Sequence, residues 1–166
     1  DLEHPGQNNA FAVNAGTPLA LRYNDVSPLE NHHIAVAWNI MRSPGCELLM
    51  PLPEDLYKQF RKLMITSILA TDMTCHFSLK EDLDGVILRN QEVLDRVQAG
   101  GQSAQNETSL ASDLDRTILL KTVLHVADIS NPCKPWAVSK IWSDRVLEEF
   151  FAQGDAEEHL KLTPTP

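Results

Sequence analysis

The chain has 166 residues, 43% of them hydrophobic, enough for one domain with a substantial buried core. Its formal net charge of −9 argues against duplex nucleic acid and anionic membrane as partners, since both reward basic patches. No apolar run is long enough to span a bilayer, and no secretory signal is expected. Three unpatterned cysteines, Cys46, Cys75 and Cys133, fit neither a disulfide framework nor a zinc finger, and suggest a reduced, cytoplasmic setting.

The opening stretch, DLEHPGQNN, puts Asp1, Glu3 and His4 ahead of a Pro-Gly turn. If that stretch is a helical turn, Asp1 and His4 share a face. Ser27-Pro28-Leu29-Glu30 reads as an N-cap serine, an N1 proline and an N3 glutamate, a capping box that starts a helix running to about Arg42, where Ser-Pro-Gly stops it. A second long helix begins near Pro53-Glu54 and carries Leu56, Phe60, Leu63, Met64, Ile68 and Leu69 at mostly three- and four-residue spacings. A third covers roughly Leu79 to Val97. Residues 99–109, small and polar, read as an internal loop rather than a domain boundary. A fourth helix spans about Asp113 to Ala127, and a fifth runs from near Pro135 to Gly154. The closing LKLTPTP is turn-like, and further helices would be needed to cover the apolar face of the fifth. No strand alternation or internal repeat is visible. The expected fold is a single all-α domain over residues 1–166.

Several polar pairs recur at helical spacing. Asp1 and His4, Glu30 and His33, and His125 and Asp128 each stand three residues apart, and Thr71-Asp72-Met73 closes the second long helix. Carboxylate and imidazole suit zinc, while carboxylate and water suit magnesium. Each residue also has a plain structural use. Glu30 completes a capping box, Asp72 and Asp128 can cap turns, and His32 and His33 can sit at a core boundary. A ferritin-like di-iron site would need a second Glu-x-x-His, and Glu30 to His33 is the one such motif in the chain. Spacing alone supports only a helical domain, with a carboxylate–imidazole metal site as one reading beside the structural ones.

Taken in order, Asp1-Leu2-Glu3-His4-Pro5-Gly6, Tyr23-Asn24-Asp25, Leu29-Glu30-Asn31-His32-His33, Leu69-Ala70-Thr71-Asp72-Met73 and Ala127-Asp128-Ile129-Ser130-Asn131-Pro132 resemble the catalytic domain of class I cyclic nucleotide phosphodiesterases. Trp142-Ser143-Asp144 and the run Glu148 to Asp155 are similar to the same family. The wording around Arg22-Tyr23-Asn24-Asp25 is most similar to its cGMP-specific, high-affinity branch. The resemblance implies an all-helical hydrolase that opens cAMP or cGMP to the 5′-monophosphate in signal transduction, with two metal ions, zinc and magnesium or manganese. It would make Asp1 and Asp128 metal ligands. His4, Glu30, His33 and Thr71 would hold metal-bound waters or a bridging hydroxide, and Asn131, Met73, Ile129, Trp142 and Val146 would lie near the nucleotide. Two cations about 3.5–4 Å apart can activate a shared water and supply positive potential inside an acidic protein.

The sequence departs from that pattern. The family's histidine before the residue matching Asp1, its upstream His-Asn-x-x-His and its purine-gripping C-terminal part have no counterpart here, and Glu3 stands where aspartate is usual. The expectation is a piece of a phosphodiesterase domain that, alone, binds zinc weakly and hydrolyses cyclic nucleotides negligibly. Two alternatives are a helical scaffold that kept the fold and lost the chemistry, and another two-metal helical phosphohydrolase. Nucleotide preference, regulatory domains and oligomeric state, a homodimer included, are left open.

Overall fold

Two short helices that the long-range periodicity does not announce precede the first long one. In α1 (Asn9–Asn14) Asn8 is the N-cap, its side-chain oxygen accepting from the Phe11 N–H at 2.8 Å. In α2 (Pro18–Arg22) Thr17 caps in the same way with proline in the first turn. The computed structural model describes residues 1–98 and 112–165, so the loop expected at 99–109 lies outside the described residues. It continues with α3 (Pro28–Met41), α4 (Glu54–Leu69), α5 (His76–Arg89), α6 (Gln91–Gln98), α7 (Asp113–Asp128) and α8 (Trp136–Leu160). Short 3-10 turns at Met73–Cys75 and Asn131–Cys133 join α4 to α5 and α7 to α8. Among the described residues there is no strand, and the all-α expectation holds.

Packing follows the order α3 on α4, α4 on α7 and α7 on α5. Ala70, Leu79, Val86 and Ile118 form the buried cluster between the last three, with Leu119 against it. Each fully buried Leu, Val or Ile contributes roughly 1.5–3 kcal/mol. Trp38 joins α3 to α4, with its ring 5.9 Å from that of Tyr57 and 6.5 Å from that of Phe60.

Two helix boundaries differ from the sequence expectation. The helix expected over Leu79 to Val97 starts at His76 and is interrupted at Asn90. There the Asn90 side chain turns inward to give an N–H to Asp115 Oδ2 at 3.1 Å, beside the Arg89 bond to Asp115 Oδ1 at 2.5 Å. A buried carboxylate on α7 therefore outweighs helical continuity at that point. In α8, Gly154 does not end the helix, which continues to Leu160 and closes on Lys161 in the left-handed conformation. Gly154 is tolerated inside it at about 1 kcal/mol relative to alanine.

α8 is 25 residues long and leaves Ile141, Trp142, Phe150 and Phe151 exposed. It is tied down at both ends by polar groups. Asn131 donates to the Ser139 carbonyl and the Ser143 hydroxyl, each at 3.2 Å. Further along, Gln153 Oε1 accepts the Asn8 N–H at 2.8 Å.

Candidate active site

The start of α3 is built differently from the expected capping box. Ser27 has φ +41° and makes no side-chain cap. It ends a turn in which Asn24 and Asp25 are also left-handed, a conformation that Asn and Asp tolerate better than other side chains. The Ser27 hydroxyl instead donates to Asp72 Oδ2 at 2.7 Å. The helix N-terminus is capped from α1, where Asn9 Oδ1 accepts the Leu29 N–H at 3.0 Å. Asn9 Nδ2 then donates to Glu30 Oε2 at 2.9 Å. Glu30 accepts from its own backbone N–H and from Asn9, not from a capping serine. Burial pushes its carboxyl above the usual carboxylate range, with the Asn9 bond opposing.

One turn further along the same face, His33 is buried and gives its Nδ1–H to the Leu2 carbonyl at 2.7 Å. A carbonyl only accepts, so in the neutral ring Nε2 carries the lone pair. Burial lowers the basicity of His33, which favours that neutral form. Nε2 lies 3.7 Å from Asp1 Oδ1, too far for a direct hydrogen bond. Two acceptors facing across that gap suit a shared donor. The Asp1-to-His4 stretch is not the helical turn considered from sequence, because Glu3 adopts φ +57°. His4 reaches the same place anyway. Its Nδ1 accepts the Gly6 N–H at 3.0 Å and its ring lies 5.7 Å from that of His33.

After α4, the Thr71 hydroxyl donates to the Ile68 carbonyl at 2.8 Å. Asp72 caps the 3-10 turn, as one reading of the sequence had it. Its Oδ1 accepts from the Thr74 N–H at 2.9 Å and from the Thr74 hydroxyl at 2.8 Å. Burial would raise the Asp72 carboxyl, but these bonds and the one from Ser27 outweigh it and hold it below the usual range.

These segments meet in an open cleft of about 570 Å³. Asp1, His4, Glu30, His33, Thr71, Met73 and Asp128 all line it, with Asn8, Asn9, Asp72 and, from α8, Glu149, Phe150 and Gln153. Asp1, His33, Thr71 and Asp128 also line an adjoining cavity of about 290 Å³. Asp1 and Asp128, 127 positions apart in the chain, therefore face common space. Among the expected nucleotide-side residues, Met73 lines the cleft, whereas Asn131, Ile129, Trp142 and Val146 do not. The Asn131 amide is instead engaged in fastening α8, and Lys134 and Arg145 flank the Trp142 ring at 5.7 and 5.4 Å. Asn9 and Gln153 were not foreseen. The Asn-Asn pair after Pro-Gly signals one cap, but nothing local shows that the second asparagine caps a different helix.

Two carboxylates and a neutral imidazole nitrogen face the cleft, a hard and borderline set suited to a divalent ion. Among the described residues, however, no three His, Cys, Asp or Glu side chains stand close enough together to hold one. The described residues do not by themselves complete a metal site.

Fold and cleft define an all-helical domain with a carboxylate–imidazole site at the junction of α1, α3, α7 and α8. The profile of the 3′5′-cyclic nucleotide phosphodiesterase family matches residues 1–166, and the chain belongs to that family. It is 40% identical over 170 aligned residues to the human (Homo sapiens) "High affinity cGMP-specific 3′,5′-cyclic phosphodiesterase 9A", covering 100% of this chain and 25% of that protein. It is 37% identical over 166 residues to the Caenorhabditis elegans "Probable 3′,5′-cyclic-AMP phosphodiesterase pde-4", covering 100% of this chain and 23% of that one. The phosphodiesterase domain of the RhoPDE fusion protein from the choanoflagellate Salpingoeca rosetta superimposes with a TM-score of 0.79 at 37% identity, over 100% of this chain and 48% of that chain. The chain thus spans about a quarter of the length of these curated relatives. Relatives named for either cyclic nucleotide stand almost level.

Proposed function

We propose that this chain forms part of the catalytic centre of a 3′,5′-cyclic nucleotide phosphodiesterase, which hydrolyses cAMP or cGMP to the 5′-monophosphate and so ends a cyclic-nucleotide signal. The observation that carries the reading is the gathering of Asp1, His4, Glu30, His33, Thr71 and Asp128 from four separate segments in one cleft. A scaffold without chemistry has no use for two carboxylates facing shared space. The three free cysteines, two of them exposed, suit a reducing cytoplasm, and no described helix is long and apolar enough to cross a membrane.

In the reaction, water oxygen bonds to phosphorus, the bond from phosphorus to the 3′ oxygen breaks, and that oxygen takes up a proton. This chain's own groups hold and orient the water. The His33 Nε2 lone pair accepts one of its protons, and its position is fixed by the Leu2 carbonyl on the opposite ring nitrogen. Glu30, with its raised pKa, is poised to exchange a proton nearer neutrality than an ordinary carboxylate. Asp1 and Asp128 are the carboxylates this chain would offer to divalent cations, zinc with magnesium or manganese. Two carboxylates are short of a complete site, and the ions would supply positive potential at the phosphate and lower the pKa of a bound water. On the substrate side, Met73 is supported by its place in the cleft.

The test is hydrolysis of cyclic nucleotide, followed by phosphorus NMR, in the protein as it occurs in the cell. Asp128→Asn and Glu30→Gln are each expected to lower kcat at least about a hundredfold. Wild-type turnover in both variants would end the reading. The 166 residues alone are expected to turn over negligibly.

A further inference from the structure

We infer that Asn9 is a positioning residue for Glu30, setting the first turn of α3 and the direction of the cleft carboxylate through a single side-chain amide. The inference rests on the role given to Glu30 under the proposed function. Its basis is geometric. The first turn of a helix has backbone N–H groups without internal partners, and the residue placed to serve them, Ser27, is left-handed with its hydroxyl committed to Asp72. Asn9 takes over from outside the helix, accepting the Leu29 N–H at 3.0 Å. Because that partner is a donor, the amide oxygen must face Leu29 and the NH2 must face Glu30, which it meets at 2.9 Å. The amide orientation is therefore forced, and rotating it would place two donors together at Leu29 and two acceptors together at Glu30.

Asn9 is itself held. The preceding residue, Asn8, gives its backbone N–H to Gln153 Oε1 at 2.8 Å. Gln153 in turn donates to Glu157 Oε1 at 3.0 Å and to the Thr165 hydroxyl at 2.6 Å. Gln153 and Glu157 are both buried. The start of α1 is pinned to α8 at the residue next to the one that touches Glu30. A side chain held this way loses little further freedom when it makes its two bonds.

Three variants test this. Asn9→Asp keeps an oxygen for the Leu29 N–H but has no N–H for Glu30. Asn9→Ala loses both. Glu30→Ala removes the partner. In nitrogen-15 NMR of the 166-residue chain, one Asn9 side-chain amide proton is expected to shift as Glu30 titrates, and Glu30→Ala should abolish that shift. Asn9→Asp should raise the Glu30 titration point by about one pH unit or more, through lost donation and like charge. Asn9→Ala should lower Tm by about 2–4 °C through the lost cap. If Asn9→Ala fails to fold, Asn9→Asp still carries the test. In the cellular protein, Asn9→Asp should lower kcat about tenfold or more with little change in KM, and the loss should vanish in a Glu30→Gln background. An Asn9 amide blind to pH, with Glu30 titrating in Asn9→Asp as in the wild type, overturns the inference. If the NMR effects appear while Glu30→Gln turns over normally, the contact stands and the catalytic role of Glu30 falls.

Discussion

Helices α4, α5 and α7 meet through Ala70, Leu79, Val86 and Ile118, whereas α1, α3 and α8 meet through amide, hydroxyl and carboxylate groups. The first region is held by burial, which is non-directional and depends on volume. The second also buries Phe11, Ala12, Leu29 and Ile34, but its polar groups are set by hydrogen bonds, which depend on angle and on which partner donates. Only the second kind of contact can aim a carboxylate. The apolar cluster gives the domain its stability and the polar junction gives the cleft its geometry.

Four perturbations, in falling order of effect, would break or sharpen that contrast. Leu79→Ala should cost about 2–5 kcal/mol in urea unfolding through the cavity it leaves, while leaving the Glu30 titration unmoved. A shift of Glu30 in that variant would mean that the two regions are not separable. Gln153→Ala should cost about 1–3 kcal/mol, because the half-buried Asn8 N–H loses its acceptor and the buried Glu157 loses a donor. Unlike Leu79→Ala, it should also disturb the Asn9 and Glu30 signals in NMR.

Ser27→Ala should cost about 1 kcal/mol and return Asp72 toward the usual carboxylate range. A rise in helix fraying at α3 without any change at Asp72 would restore the capping box and contradict the geometry described above. The smallest effect concerns pH. Asp72, Asp115 and Glu157 have folded pKa values below the ordinary range. For Asp72, burial opposes the shift but hydrogen bonds prevail; for Asp115, Arg89 is the main cause; for Glu157, Thr165 is. Their stabilisation is present above the unfolded values of about 4 and is lost as pH falls through the folded ones. Glu30 has the opposite sign, its contribution being complete below the unfolded value and lost as pH rises through its raised folded one. Thermal melts should therefore show acid destabilisation below about pH 4, and Glu30→Gln should raise Tm slightly at neutral pH. A fall in Tm in that variant would show that the Glu30 charge is favourable where it sits.

The long helices were legible because their apolar residues repeat every three or four positions, and because Pro28, Pro53 and Pro135 mark their starts. The breaks were less so. Asn90 interrupts a helix to reach Asp115 across space, and Gly154 sits inside a helix that runs on to Leu160. At the site, Asp1, His4, Glu30, His33, Thr71 and Asp128 were singled out from ordered motifs and all six line one cleft. Asn9, which touches two of the residues at the start of α3, went unnoticed for want of any local pattern. Ser27 misled because its spacing to Glu30 fits a capping box perfectly well and only its left-handed backbone rules the box out.

The sequence by itself determined the helical class, the approximate span of most long helices and the residue types available for chemistry, since these follow from periodicity and from residue chemistry. Tertiary structure decided which carboxylates share space, which asparagine caps which helix, and which side of an imidazole is left with its lone pair. Those outcomes depend on donors and acceptors brought together from distant parts of the chain, and a hydrogen bond between residues twenty or more positions apart leaves no trace in local spacing.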